Sequence, residues 1–97
     1  MNRYALETHI NEQMATFHFT KEVPAIQLFS EKMTTEAKKM KDLLLRIPGV
    51  VDVTSSKQEV RVTRGGAYQW IDIEEAVVKT VCGQIGMESP KKVEPYA

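Results

Sequence analysis

Residues 43–53 read LLLRIPGVVDV, and within this stretch the spacing of the hydrophobic residues changes from a helical period to a strand period. Upstream, apolar residues recur every three or four positions, which is typical of an amphipathic helix: Ala37, Met40, Leu44 and Ile47. The pair Pro48-Gly49 stops that helix, because proline lacks the N–H that a helix needs. Downstream, Val51 and Val53 alternate with polar residues. The stretch therefore predicts a helix over 34–47 that leads directly into a strand.

Local signals outside this stretch support both elements. Thr34 or Thr35 supplies the N-cap oxygen of the helix, and Glu36 places a negative charge in its first turn, where the helix dipole favours it. After the strand, residues 55–58 are polar and predict a turn. Residues 60–62 then resume the valine alternation, so we expect a β-hairpin after the helix.

The N-terminal part of the chain predicts another β-hairpin. Residues 3–21 contain two alternating runs separated by a polar break. With the turn at that break, His9 is opposite Met14 and His18 is opposite Ala5. The two histidines are then about 13 Å apart at the rise of a strand, too far to share a metal ion. We interpret both as solvated strand residues.

A second helical stripe follows the second hairpin. Asp72 and Glu75 form a capping-box pattern ahead of apolar residues at helical spacing: Ile73, Ala76, Val77, Val81 and Ile85. Gly86 is the expected C-terminal stop. Gly83 costs about 1 kcal/mol relative to alanine within a helix, so we expect this end to fray or to stop early.

The predicted order of elements is ββαββα, which indicates a two-layer α+β domain. Its sheet is mainly antiparallel and both helices cover one face. A single domain covers 1–87, while 88–97 is expected to be a disordered tail. Residues 25–29 either add an edge strand or remain extended. The short link within the second hairpin excludes a parallel dinucleotide-binding fold, which needs a crossover helix between strands.

Composition excludes several classes of protein. The chain has 97 residues, of which 42% are hydrophobic and 27% charged, as in ordinary soluble domains. Thirteen basic and thirteen acidic residues leave no overall charge to attract nucleic acid. No apolar run approaches the roughly 18 residues of a membrane span, and the N-terminus lacks the apolar stretch of a signal peptide. We expect a cytoplasmic protein that is a monomer or a weak dimer and has no membrane partner.

The sequence contains no set of residues that predicts catalysis or cofactor binding. Cys82 is the only thiol and lies beside the second apolar stripe, so we interpret it as a partly buried structural residue. A CxxC pair or an HExxH helix, the usual metal-binding signatures, is absent. The glycines Gly65-Gly66 lack the lysine and the spacing of a phosphate-binding loop. We therefore expect no enzyme activity and no cofactor. A small enzyme that uses Cys82 or His18 together with residues of a second subunit is a third hypothesis, after docking and nucleic-acid binding.

Basic and aromatic residues leave one alternative function open. Lys38, Lys39, Lys41, Arg61 and Arg64 could contact a nucleic-acid backbone, although lysines on an amphipathic helix are usually its solvated face. Four aromatic residues could stack on bases, but we favour their placement in the core: Phe17, Phe19, Tyr68 and Trp70. A small nucleic-acid-binding module that uses the lysine face is thus the second hypothesis, and nucleic acid is not the expected partner.

Residues 43–53, the Val-Arg-Val-Thr strand at 60–63 and Trp70 together resemble the N-terminal domain of the Nfu/NifU-like iron-sulfur cluster scaffold family. In that family a helix ends in a hydrophobic-basic-hydrophobic-x-Gly-Val turn, a hairpin follows, and a tryptophan leads into the last helix. The similarity covers 3–87. This chain differs from the family at the first turn, where the family has a Pro-Asn-Pro-Asn segment. Only Asn11 of this chain can be matched to that segment. Heavy-metal-associated domains share the Gly-Val turn but carry a CxxC loop that this chain lacks.

The resemblance implies a role in docking. Full-length members of the family bridge the cluster through a CxxC motif in a separate C-terminal domain, so we expect a stand-alone module without that domain. Cluster ligation generally takes four thiolates, which one cysteine cannot supply. The implied function is a non-enzymatic interaction or accessory module that docks onto scaffold, carrier or client proteins of iron-sulfur cluster assembly. The predicted interaction surface consists of the first turn, the lysine face of the first helix and the uncovered sheet face: Asn11, Lys38, Lys39, Lys41, Arg61 and Thr63.

Overall fold

The computed structural model describes residues 2–27 and 33–94 of the chain. The elements within these residues are β1 (Arg3–Thr8), β2 (Met14–Phe19), α1 (Thr35–Leu45), β3 (Val50–Ser56), β4 (Glu59–Arg64), α2 (Trp70–Ile85) and β5 (Lys91–Lys92). The predicted order ββαββα is confirmed, and a short fifth strand follows it. No helix in the described ranges is long and apolar enough to cross a membrane.

The five strands form one sheet in the order β3-β4-β2-β1-β5, in which only the β1–β5 pair is parallel. Side chains on one face of the sheet are buried, and they include Phe17, Val60 and Val62. The buried residues of α1 and α2 belong to the same hydrophobic core. Because both helices contribute to this one core, they cover the same face of the sheet. The two-layer α+β architecture is as predicted.

The first hairpin has the predicted register. Ala5 pairs with His18, and the His9 N–H donates to the Met14 carbonyl at 3.4 Å. The turn between the strands is held by Asn11, whose Oδ1 accepts the Gln13 N–H at 3.1 Å. A side chain that bonds its own backbone two residues on is typical of asparagine in turns. Asn11 therefore has a structural role in shaping this turn.

Helix α1 is capped by Thr34, whose Oγ1 accepts the Ala37 N–H at 3.1 Å. It ends at Leu45, earlier than the predicted Ile47, because the chain tightens there: the Ile47 N–H donates to the Leu44 carbonyl, three residues back. Gly49 then reverses the chain with φ +97°, a conformation that side chains oppose.

Helix α2 begins at Trp70, so the predicted cap at Asp72 is wrong. Asp72 is instead the third helical residue, and its Oδ2 accepts the Gln69 N–H at 2.9 Å. The Trp70 indole N–H donates to the Glu12 carbonyl at 3.0 Å, a contact that fixes the helix start against the first hairpin. The helix runs through Gly83 and ends at Gly86 with φ +70°, so the stop is confirmed and the early end is not.

The prediction that 88–97 is a disordered tail is wrong for residues 88–94, while residues 95–97 lie outside the described part. β5 pairs with Arg3 and Tyr4 of β1. The Lys91 N–H donates to the Asn2 carbonyl at 3.0 Å, and the Val93 N–H donates to the Tyr4 carbonyl at 2.8 Å. The folded unit thus extends past the predicted boundary at residue 87, because a distant strand supplies partners that the tail lacks locally.

Candidate binding surfaces

The residues predicted to form an interaction surface are divided among separate parts of the molecule. Arg61 and Thr63 point away from the core on the open face of the sheet, as the burial of Val60 and Val62 requires. Asn11 lies in the β1–β2 turn. The remaining three lie on α1, in the layer on the opposite side of the sheet: Lys38, Lys39 and Lys41. The structure brings Arg61 and Thr63 together but does not join them to the lysines.

The open face of the sheet carries side chains of both charges. Glu7 Oε1 lies 2.8 Å from His18 Nε2, and His9 Nε2 lies 2.8 Å from Thr16 Oγ1. The two histidines thus have different partners. Across residues 2–27 and 33–94, no group of three histidine, cysteine, aspartate or glutamate side chains is placed to hold a metal ion.

Arg64 is excluded from any surface that binds phosphate, because only 8% of it is exposed. Its guanidinium lies 5.7 Å from the centre of the Trp70 ring and donates to the carbonyls of Gly65 and Tyr68. This buried arginine fixes the loop before α2. Phe17 and Phe19 are buried in the core, and Trp70 packs against it. The predicted core placement is wrong for Tyr68, which is 37% exposed because it lies in the loop before α2.

Cys82 is a buried thiol on α2, with 5% of its surface exposed. Burial raises its pKa, because the charged thiolate is disfavoured away from water. Thiolate is the form that attacks electrophiles and binds metals, so this environment opposes both kinds of chemistry. The interpretation of Cys82 as a structural residue agrees with its position.

A groove of about 610 Å³ runs along α2, between the helix and the segment that leads into β5. Its walls include apolar residues from both sides: Tyr4, Ile71, Val78, Met87 and Pro90. Ile71 is 86% exposed, although it is large and aliphatic. The sequence indicates this exposure, because Ile71 is an aliphatic residue that lies outside the predicted apolar stripe of α2.

A polar cluster fixes the floor of this groove. The Tyr4 hydroxyl donates to Glu74 Oε2 at 2.7 Å, and Lys92 Nζ lies 2.7 Å from the same oxygen. Burial, together with the neighbouring Glu74 carboxylate, raises the pKa of Tyr4 to about 12. The hydrogen bonds that Lys92 donates to Glu74 and Glu94 raise the pKa of Lys92. The cluster links β1, α2 and β5, and therefore holds the two walls of the groove together.

Two outward N–H groups of the β3 edge, those of Val53 and Ser55, have hydrogen-bond partners. The Val53 N–H donates to Asp52 Oδ1 at 2.9 Å. The Ser55 N–H donates to the Ile26 carbonyl at 3.0 Å, and Ser55 Oγ accepts the Ile26 N–H at 2.8 Å. The segment at 23–27 is extended here but forms no strand; residues 28 and 29 of the predicted edge segment lie outside the described ranges. Because these donors are occupied, the edge offers little to another strand.

The opposite edge is only partly covered. The His9 N–H donates to Met14 of β2, whereas the Tyr4 carbonyl accepts the N–H of Val93, the residue after β5. Successive residues of a strand turn their backbone groups to opposite sides, so Leu6 and Thr8 face away from β2, as Tyr4 does. β5 pairs only with Arg3 and Tyr4. Among the residues that the structure describes, none pairs with Leu6 or Thr8 on this side.

Comparison of the chain with family models, curated proteins and solved structures finds no match.

Proposed function

We propose that this chain is a cytoplasmic, non-enzymatic protein-interaction module that acts in iron-sulfur cluster assembly by docking onto scaffold, carrier or client proteins. The observation that carries the proposal is the groove along α2. Ile71, 86% exposed, stands at this groove of about 610 Å³ beside a stretch of β1 that has no outer partner among the described residues. A large aliphatic side chain exposed at a groove is typical of a binding surface.

The link to iron-sulfur proteins is supported by the residues that resemble the Nfu/NifU-like family. In the fold these residues belong to one packed unit. A Cβ built on Gly49 of the Gly-Val turn would lie 2.7 Å from Cγ of Tyr68 and 3.0 Å from Cδ1 of Ile73. Trp70 opens α2 two residues after Tyr68. The quoted motif thus corresponds to a tight junction between β3 and α2.

A docking role is favoured over direct ligation of a cluster. Iron-sulfur clusters generally take four thiolates, and Cys82 is the only cysteine of the chain. Its thiol is buried and its pKa is raised, so a metal would have to overcome both effects. The module therefore contacts proteins that carry clusters and does not hold one itself.

The alternative role in nucleic-acid binding is less well supported by the geometry. Its basic residues lie on both sides of the sheet, since Arg61 is on the open face and the lysines are on α1. Arg64 is buried. Glu36 and Asp42 also lie exposed on α1 and reduce its positive charge. No single basic surface results within residues 2–27 and 33–94, so we retain protein docking as the function.

Affinity capture with the full-length chain under anaerobic conditions tests this proposal. The wild type is compared with Ile71→Glu and with Val51→Glu, a matched control because Val51 is also apolar and 61% exposed, but lies on β3. We expect iron-sulfur assembly proteins to be captured, with at least tenfold less recovered by Ile71→Glu and no loss with Val51→Glu. Equal capture by all three proteins, or turnover of a defined substrate, would overturn the proposal.

Native mass spectrometry tests the distinction between docking and ligation. The purified protein is measured before and after incubation with ferrous iron and sulfide, and Cys82→Ala is the control. We expect an unchanged protein mass. A cluster mass that disappears with Cys82→Ala would make Cys82 a ligand and would contradict the docking role.

A further inference from the structure

We propose that the partner binds as an extended segment that adds a strand beside the free part of β1. Its backbone bonds Leu6 and Thr8, and one of its aliphatic side chains packs against Ile71. This inference rests on the proposed function and specifies the kind of partner. Strand addition is a common mode of peptide recognition, in which backbone bonds provide affinity and alternate side chains provide specificity.

The part of β1 that no residue of 2–27 or 33–94 pairs on its outer side supplies the hydrogen-bonding groups. Leu6 and Thr8 each turn one N–H and one C=O away from β2, as the bonds of His9 and Tyr4 on either side require. The β3 edge differs because Val53 and Ser55 already donate to described partners. These two occupied donors disfavour strand addition at the β3 edge relative to the β1 edge.

Ile71 lies level with this free stretch. Trp70 bonds Glu12 at the turn after β1, whereas Glu74 bonds Tyr4 near the start of β1. Helix α2 therefore runs antiparallel to β1, and Ile71 falls between those two contacts. It also lines the groove with Tyr4 and Glu74. A strand beside Leu6 would direct every second side chain toward Ile71.

The charge of Glu7 indicates whether the added strand comes from a different protein or from a second copy of this chain. Glu7 lies at the centre of the free stretch on the open face, and its side chain is 37% exposed. Two copies paired antiparallel through Leu6 and Thr8 would place their Glu7 side chains directly opposite each other, which is destabilising. The favoured partner carries lysine or arginine opposite Glu7 and aliphatic residues on the alternate positions.

The probe is a fluorescein-labelled peptide of alternating lysine and valine, six residues long, which is measured by fluorescence anisotropy with the full-length protein. The contact is short, so we expect a dissociation constant on the order of 10–100 µM. Two matched peptides carry N-methyl groups on alternate amides: one is methylated at every lysine, and the other at every valine. Only one side of an added strand bonds β1, so we expect one methylated peptide to lose binding and the other to keep it.

Protein variants locate the contact. Ile71→Glu should weaken binding of the probe at least tenfold, and Val51→Glu should leave it unchanged. Absence of binding at millimolar peptide, or equal effects of both methylation frames, would overturn strand addition. So would reversible dimerisation in sedimentation experiments that competes with the peptide. If proteins are still captured through Ile71 in any of these cases, docking stands and only its mode is wrong.

Discussion

Substitution of Gly49 by alanine should be strongly destabilising, because it adds two separate costs at one position. The backbone has φ +97°, where an L side chain is strained by about 1–3 kcal/mol. The new Cβ would also lie 2.7 Å from Cγ of Tyr68 and 3.0 Å from Cδ1 of Ile73. Overpacking of this kind costs about 1–3 kcal/mol. We therefore expect the free energy of unfolding to fall by about 2–6 kcal/mol, the sum of these two ranges.

The matched control is Gly83→Ala, the same chemical change at a position where nothing lies within 4 Å of the new Cβ. Since Gly83 is inside α2, alanine should raise stability by about 0.5–1 kcal/mol. Urea unfolding followed by circular dichroism measures both variants. The reasoning about Gly49 fails if Gly49→Ala unfolds within about 1 kcal/mol of the wild type, or if both variants shift in the same direction.

Three further predictions concern the free edge, the groove floor and the buried thiol. The amides of Leu6 and Thr8 should exchange rapidly in the free protein while the two capped amides of the β3 edge are protected; equal rates in an NMR exchange experiment would contradict the edge assignment. Because burial and Glu74 raise the pKa of Tyr4 to about 12, its stabilising effect is complete below its ordinary pKa of 10.0 and is lost as the pH rises through about 12. Glu74→Gln should lower the pKa of Tyr4 in an ultraviolet titration, with Tyr4→Phe identifying the signal, and an unchanged titration would refute the contribution of the carboxylate. Iodoacetamide should alkylate Cys82 at least about tenfold more slowly in the native protein than in urea, whereas equal rates would place the thiol at the surface.

The parts of the fold that the sequence predicts well are those stabilised by neighbouring residues. Thr34 bonds Ala37 within one helical turn, so its capping role is visible in the local pattern. The hairpin register that places His18 opposite Ala5 follows from alternation and from one tight turn. In such cases the hydrophobic period and a local side-chain bond favour the same structure, so distant contacts are not needed to determine it.

The parts that the sequence does not predict depend on residues far away in the chain. The start of α2 has a local bond, from the Gln69 N–H to Asp72, and a distant one, from the Trp70 indole to Glu12, 58 residues earlier. A capping pattern read at Asp72 and Glu75 cannot reveal the distant contact. β5 forms because its lysines meet β1 across almost the whole chain. Propensity favours disorder for this segment, but pairing with an existing strand overrides it.

The candidate site has the same origin in long-range packing. A search for charges and ligands in the sequence selects the lysines of α1 and Arg61. The groove is instead made by the approach of Met87, Ser89 and Pro90, which lead into β5, to α2. Of the groove residues, Ile71 can be recognised from the local sequence, because it is an aliphatic residue outside the apolar stripe of α2. One such residue is common on protein surfaces, so its meaning depends on the groove and the strand beside it.

The difference between the two sheet edges is the strongest physical reason to connect this groove with binding. Free strand edges promote aggregation, and proteins commonly block them. Here the β3 edge is covered by Ile26 and by the side chain of Asp52, and Lys92 places a charge on β5. Leu6 lies beyond the end of β5, on an edge where the described residues provide no cover. Glu7 at its centre opposes pairing between copies but not pairing with a basic strand, so the same residue that limits self-association also selects the partner.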